Sequence, residues 1–268
     1  MRPLQIHGRY YQLYPPERYK GHVEEDFEVD FDRSALLVVD VYGHGFGQGE
    51  GGHDHPSFNE ASNKPWDDIT LKYIRPALEA ARMAGMPVVY AHNSAPRIEL
   101  NRSEYGKQLR RTLQTDIEEL LSERPGAVCA PEYRVGEGSR LLDIAPAVAP
   151  APGDYFIRKH QSSGFRDTRL DAVLRNLDVK TLFCMGFDAS MCLMLTVVDG
   201  VELNYEILLL RDACRATEIP EDEEIGYSFT NRIIKWIETL VGRSITTQHF
   251  VDLMASIEPK ASGIKVGG

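Results

Sequence analysis

The sequence predicts an α/β fold, a doubly wound, mostly parallel sheet of five to six strands with helices on both faces. Three observations predict it. Five short apolar runs rich in Val, Leu and Ile lack polar alternation, so both faces of each must be covered. Helical patterns fall between the runs, which is the alternation that builds parallel sheets. No internal repeat, charge run or linker divides the 268 residues.

The strands are expected at residues 35–39, 87–91, 155–157, 181–185 and 207–210, with a sixth candidate at 244–247. A helix over 68–84 sets Ile69, Tyr73, Pro76, Ala77, Ala80 and Ala84 near one stripe, and Gly85 stops it. Residues 168–177 carry Leu170, Val173, Leu174 and Leu177 at helical spacing behind Thr168, a capping residue type. Helices over 191–203 and 220–241 follow the fourth and fifth strands. Two segments exceed a minimal repeat. Residues 43–66 form a loop rich in Gly, His and Asn, a length that usually marks a functional lid. Residues 99–152 hold an amphipathic piece at 108–121 and a Pro-rich connection. The expected organisation is an N-terminal arm, 1–32, and a single domain, 33–268, with insertions near 43–66 and 99–152.

Composition narrows the function. With 43% hydrophobic and 26% charged residues the chain is that of an ordinary globular protein. Forty acidic against thirty basic side chains give a formal charge of -10, which repels a phosphate backbone, so nucleic acid is not an expected partner. No stretch approaches a membrane span and the N-terminus lacks an apolar signal core, so no membrane partner and a cytoplasmic location are expected. Cys129, Cys184, Cys192 and Cys214 form neither a disulfide framework nor a CxxC pair, which suits a reducing compartment.

In open α/β sheets, sites lie beyond the carboxyl ends of the strands. Three ionisable residues stand there: Asp40 after the first strand, Lys159 after the third, and Cys192 at the start of the helix after the fourth. Singly, each could be a cap, a surface charge or core packing. Together they supply acyl-transfer chemistry. A thiol at a helix N-terminus beside an ammonium is expected to ionise more readily than a free one. A carboxylate can take its proton and return it to a leaving amine, while helix-start amides hold an oxyanion.

Three motifs carry a family resemblance: K-H-Q-S-S-G-F-R-D-T-R-L (Lys159 to Leu170), G-F-D-A-S-M-C-L-M-L-T (Gly186 to Thr196) and L-L-R-D-A-C-R-A-T (Leu209 to Thr217). In that order they resemble the isochorismatase-like cysteine hydrolases, a family that includes nicotinamidases, N-carbamoylsarcosine amidase, and ureidoacrylate and biuret amidohydrolases. The resemblance implies a triad of Asp40, Lys159 and Cys192, an oxyanion hole from the amides of Met191 and Cys192, and a cis peptide between Phe187 and Asp188. It implies a cysteine-dependent amidohydrolase that cleaves a small amide, carbamoyl or ureido compound through a thioester, without a cofactor, and a homodimer or homotetramer. The aromatic stretch Gly8 to Pro16 is apolar enough to be a subunit contact.

Two departures from the family pattern stand out. The first motif reads D-V-Y-G-H-G-F, with Tyr42 where Gln is usual and Phe46 one position late, and Ala189 and Ser190 replace the usual Thr-Asn or Thr-Asp. Tyr42, Phe46, His92, Asn93, Gln161 and Phe165 are the expected substrate contacts, joined by His44 and His160 beside the same strand ends. Arg97 or Arg215 is placed to meet a carboxylate. His44, His53, His55 and His92 invite a metal, but A-H-N-S-A-P (Ala91 to Pro96) lacks the family's Asp-x-His ligand spacing, so none is expected. Two other readings remain: a vinyl ether hydrolase of the isochorismatase type, which needs no thiol, and a non-catalytic binding or oligomerisation module.

Overall fold

The structure, a computed structural model, describes residues 2–18, 21–43, 60–93, 102–113 and 144–257. Along the chain run β1 (Pro3–Gln12), β2 (Gly21–Asp30), β3 (Ser34–Val39), α1 (Glu60–Ile69), a π-helical turn (Thr70–Ile74), α2 (Arg75–Ala84) and β4 (Val88–Asn93). Next come α3 (Glu104–Leu113), β5 (Tyr155–Lys159), α4 (Leu170–Asn176), β6 (Thr181–Gly186), α5 (Cys192–Glu202) and β7 (Glu206–Cys214). The last elements are α6 (Pro220–Glu224), α7 (Ser228–Leu240), β8 (Arg243–Ile245) and α8 (Thr247–Ala255).

Among the described residues all strands join one sheet in the order β2-β1-β8-β7-β6-β3-β4-β5, eight strands instead of the expected five to six. From β3 to β8 every pairing is parallel. The two additional strands lie in residues 1–32, read from the sequence as an arm. Here β1 and β2 make an antiparallel hairpin, and β1 pairs with β8 at Arg9 and Ser244. Leu4 and Ile6 are buried while Gln5 and His7 are exposed, the alternation of a strand covered on one face. A search for continuous apolar runs passes over that pattern.

The central strands are apolar on both faces for the reason anticipated. Leu36, Val38, Tyr90, Phe183 and Leu208 pack with Ile74, Leu78 and Phe250 from α2, its π turn and α8. Their neighbours Ala35, Leu37, Val89, Leu182 and Leu209 pack on the opposite face with Leu174, Leu193, Val197 and Ile237 from α4, α5 and α7. Each fully buried Leu or Val contributes roughly 1.5–3 kcal/mol, so a sheet covered on both faces is the strongly favoured arrangement.

Three boundaries differ from expectation. The helix over 68–84 starts earlier, at Glu60, and widens into its π turn just before Pro76, a residue with no N–H to give the preceding turn. Gly85, at φ +76°, ends it as anticipated. The single helix over 220–241 is two, broken where Gly226 (φ +82°) and Tyr227 (φ +60°) turn left-handed. The amphipathic piece at 108–121 begins earlier, as α3, and its part beyond Leu113 lies outside the described residues. Among the described residues no helix is long and apolar enough to cross a membrane.

The six parallel strands lie in the order β5-β4-β3-β6-β7-β8, which reverses direction between β3 and β6. Such a switch point leaves a crevice outside the carboxyl ends of the two strands. The backbone here is unusual on both sides. Asp40, just after β3, has φ +45°, and Gly186, the last residue of β6, has φ +114°. A Cβ on Gly186 would stand 2.0 Å from the Val39 carbonyl oxygen, so only glycine lets the two strand ends come this close.

Candidate active site

Asp40, Lys159 and Cys192 arrive from three different strand ends and meet in this crevice. Lys159 Nζ lies 2.5 Å from Asp40 Oδ2 and 3.3 Å from Cys192 Sγ. Both charged groups are sealed from water, Lys159 at 0% exposure and Asp40 at 1%. A buried pair of this kind holds only where further hydrogen bonds complete it. The Asn93 backbone N–H donates to Asp40 Oδ1 (3.0 Å) and its side-chain amide donates to Oδ2 (3.3 Å). That amide also donates to the Tyr42 hydroxyl, while Asn93 Oδ1 accepts from Lys159 Nζ. The Gln161 carbonyl is the lysine's remaining acceptor, at 3.3 Å.

The electrostatics follow from burial. It opposes the charge on Lys159, but Asp40 and Cys192 outweigh it and raise the lysine pKa, so the ammonium persists. For Cys192 the balance falls the other way. Burial, reinforced by the neighbouring Asp40 carboxylate, pushes the thiol from 9.0 to about 12 against the pull of Lys159. This corrects the expectation of a readily ionised thiol. Cys192 rests as S–H, hydrogen-bonded to Asp40, and the carboxylate that holds its proton up is the group placed to receive it.

Cys192 sits on a tightly tied elbow. The Phe187–Asp188 peptide bond is cis. Asp188 Oδ1 accepts from the Ser190 N–H and hydroxyl, both at 2.6 Å, and Oδ2 accepts from the Thr217 N–H (2.8 Å) and hydroxyl (2.5 Å). Ala189 N–H donates to the Arg215 carbonyl at 2.8 Å. Ser190 thus provides support at the place where the sequence departs from the family's Thr-Asn or Thr-Asp. Thr196 ties the first turn of α5 to the lysine loop, donating to the Cys192 carbonyl (2.6 Å) and accepting from Gly164 N–H (2.8 Å). The expected pair of oxyanion donors is uneven. Met191 N–H already donates to the Asp188 carbonyl at 3.1 Å, whereas the Cys192 N–H has no backbone acceptor among the described residues.

The expected substrate contacts separate into three groups. Tyr42 lies in the site with its phenol beside Asp40, and burial first, then the Asp40 charge, keeps it protonated. Asn93 is there too, but its amide is bound into the network around Asp40, Lys159 and Tyr42, and Gln161 contributes its carbonyl to Lys159. His92 is buried beside Asp40, Nδ1 3.8 Å from Asp40 Oδ1, its ring edge-on to Tyr42. Phe165 belongs to the core instead. It stacks on Tyr205 at 5.6 Å and rests against Gly200, so the expectation that it lines the pocket is corrected. Phe46, His44, His53, His55 and Arg97 lie outside the described residues. Arg215 is 5% exposed, paired with Glu223 at 3.1 Å and set over the Tyr227 and Trp66 rings at 4.2 and 5.5 Å.

One residue not anticipated from the sequence is affected by the site. Tyr105, near the start of α3, has its phenol pKa raised, by burial first and then by the charge of Cys192. Its only sequence signal is the preceding Ser103, a helix-start residue type in a segment that no strand end anchors. Among the described residues no group of three or more His, Cys, Asp or Glu side chains could hold a metal.

The chain resembles known proteins over most of its length. The profile of the isochorismatase domain matches residues 34–231. Ureidoacrylate amidohydrolase RutB of Pantoea ananatis is 27% identical over 225 residues, covering 82% of this chain and 81% of that one. RutB of Cronobacter sakazakii is 28% identical over 226 residues, 84% of this chain and 89% of that one. Among solved structures, a cysteine hydrolase from Pseudomonas syringae pv. phaseolicola superposes with a TM-score of 0.63 at 25% identity, covering 86% of this chain and 96% of that one.

Proposed function

This chain belongs to the isochorismatase family, and we propose that it is a cysteine-dependent amidohydrolase acting on the C–N bond of a small amide, carbamoyl or ureido compound. The observation that carries the reading is the contact of Lys159 Nζ with both Asp40 (2.5 Å) and Cys192 (3.3 Å) at the sheet's switch point. The amidohydrolase names of the RutB relatives support it.

As the substrate carbonyl approaches, Asp40 takes the Cys192 proton and the sulfur attacks carbon. Lys159 remains charged and steadies the thiolate as it forms. The Cys192 N–H meets the developing oxyanion; Met191 joins it once its N–H turns from Asp188. Collapse of the tetrahedral adduct breaks the C–N bond, with Asp40 returning the proton to the leaving nitrogen, and ammonia or an amine departs. Asp40 then activates water, which hydrolyses the thioester and regenerates the thiol.

The test is ammonia release from a panel of maleamate, biuret, ureidoacrylate, nicotinamide and N-carbamoyl amino acids by the wild type and by Cys192→Ala. Release by the wild type and none by the variant is expected. Equal release by both removes the nucleophile and the reading with it.

A further inference from the structure

The sheet has a gap on the side away from β5. β8 spans only Arg243–Ile245, whereas both its neighbours run on past its carboxyl end, β7 to Cys214 and β1 back to Pro3. The register shows where pairing stops, with Leu210 of β7 opposite Ile245 and Arg9 of β1 opposite Ser244. From there the chain turns into α8, and a cavity of about 180 Å³ remains between the strands and the turn. Its walls are His7 and Arg9 from β1, Glu24 from β2, Arg211 from β7, and Thr246 and His249 at the turn into α8. None of them belongs to the network around Asp40, Lys159 and Cys192.

Four basic side chains thus meet one carboxylate, in a chain whose formal charge is -10. Two of the four are already engaged. Arg9 Nε pairs with Glu238 at 2.8 Å, and His7 bridges Asp26 (2.8 Å) and Glu24 (3.3 Å). The carboxylates around the cavity are engaged as well: Asp212 accepts from the Thr247 N–H (2.8 Å) and hydroxyl (2.7 Å), and Asp252 accepts from Gln248 at 2.9 Å.

Arg211 is the exception. It is half-buried, its hydrogen bond goes to the neutral Ser244 hydroxyl at 3.3 Å, and among the described residues it forms no ion pair. Burial and then the charge of Arg9 lower its pKa, so the guanidinium stands in a place that opposes its charge. Beside it, His249 Nε2 accepts from the His7 N–H at 3.3 Å, which leaves the proton of the neutral ring on Nδ1, a further donor.

We propose that this cavity binds a small oxyanion, a phosphate or a carboxylate, held by the Arg211 guanidinium and the His249 ring. A guanidinium offers parallel N–H donors that match two oxygens of either group. The anion also screens Arg211 from Arg9. Because it touches β1, β7 and α8 together, its binding favours the docked hairpin and adds to the stability of the chain.

The experiment titrates the full chain at pH 6 with sodium phosphate and with sodium malonate, against sodium chloride at matched ionic strength, by calorimetry and thermal unfolding. At this pH His7 stays protonated beside Asp26. Wild type is expected to bind one equivalent per chain and to gain a few degrees in Tm at ten times Kd. Arg211→Met should weaken binding about 10-fold or more and remove the rise in Tm. Glu24→Gln, at an exposed position, takes the opposing carboxylate out of the cavity and should tighten binding about 3-fold. Preference for phosphate or for malonate then assigns the bound oxyanion as tetrahedral or planar. The proposal is overturned if neither anion binds better than chloride, or if Arg211→Met stays within about 2-fold of wild type, which would place the anion elsewhere, the Lys159 site included. Should Arg211→Met fail to fold, Glu24→Gln decides alone, and unchanged or weaker binding overturns the proposal.

Discussion

Asp40 and Glu238 are both carboxylates buried with cations, one at the centre of the sheet and the other under its N-terminal hairpin. Glu238 is in α7, with Oε1 2.8 Å from Arg9 Nε and accepting from Ser244 Oγ at 2.6 Å, and Oε2 3.0 Å from His22 Nε2. Its oxygens are engaged by groups from β1, β2 and β8, none of them a thiol, and its backbone is ordinary helix. Asp40 instead follows a strand end with left-handed backbone, a conformation that costs about 1 kcal/mol for a residue with a Cβ, and one of its partners is a thiol. Burial of a charged pair therefore does not distinguish catalysis from architecture. What distinguishes them is whether one partner can react, and whether the backbone is bent to present it.

Isosteric amide substitution at the two carboxylates sharpens the contrast most. Asp40→Asn keeps the volume and removes the proposed base, and kcat/KM is expected to fall by about 10³, or roughly 4 kcal/mol of barrier, in a protein that still folds. A variant that retains a third of wild-type activity would place the base elsewhere. Glu238→Gln is expected to do the reverse. Leaving Arg9 without its counter-ion costs about 1–3 kcal/mol of stability, read as a lowered urea midpoint, while kcat/KM of the folded fraction stays within about 2-fold. A loss of activity larger than the loss of stability would break the distinction.

The next prediction concerns the thiol that sets Asp40 apart. Because Cys192 holds its proton to about 12, alkylation by iodoacetamide should climb continuously between pH 7 and 10. A plateau reached below pH 8 would mean a resting thiolate. The linkage has a definite sign. The unfolded thiol ionises near 9.0 and the folded one only near 12, so this group's contribution is fully present below about pH 9 and is lost as pH rises to about 12. Cys192→Ala should flatten that alkaline decline, measured by urea unfolding at pH 8, 9 and 10. The smallest effect belongs to Tyr42→Phe, which removes one of several donors around Asp40. A fall in kcat of about 5-fold is expected, close to the worth of one neutral hydrogen bond, with KM little changed. A selective rise in KM would make Tyr42 a substrate contact and not a support of the base.

How much of this was legible in the sequence depends on what kind of signal each feature leaves. Continuous runs such as Ala35 to Val39 announce a strand buried on both faces, and the rule that sites follow strand ends selects Asp40, Lys159 and Cys192. Leu4 and Ile6, separated by polar residues, leave only a weak alternation, so the hairpin escapes notice. Tyr105 belongs to an insertion, and tertiary packing alone brings it under the influence of Cys192. The thiol is the most instructive case. Its helix position and its lysine are visible in sequence order, but the depth of burial that outweighs both is not. Phe165 fails for the same reason: adjacency to a catalytic strand end does not reveal that its ring turns back onto Tyr205.

The clasp between Arg9 and Glu238 joins positions 229 residues apart, and β1 reaches the rest of the sheet through β8, where Arg9 pairs with Ser244. The hairpin can form locally as soon as it leaves the ribosome, but it has nothing to dock on until α7 and β8 have emerged. Closing so long a loop contributes little beyond a loop half its length, since the entropy grows only with the logarithm of separation. The cost is one of timing. The hairpin waits, with Leu4 and Ile6 uncovered, until α7 and β8 are made, which makes it a segment with much to gain from a chaperone.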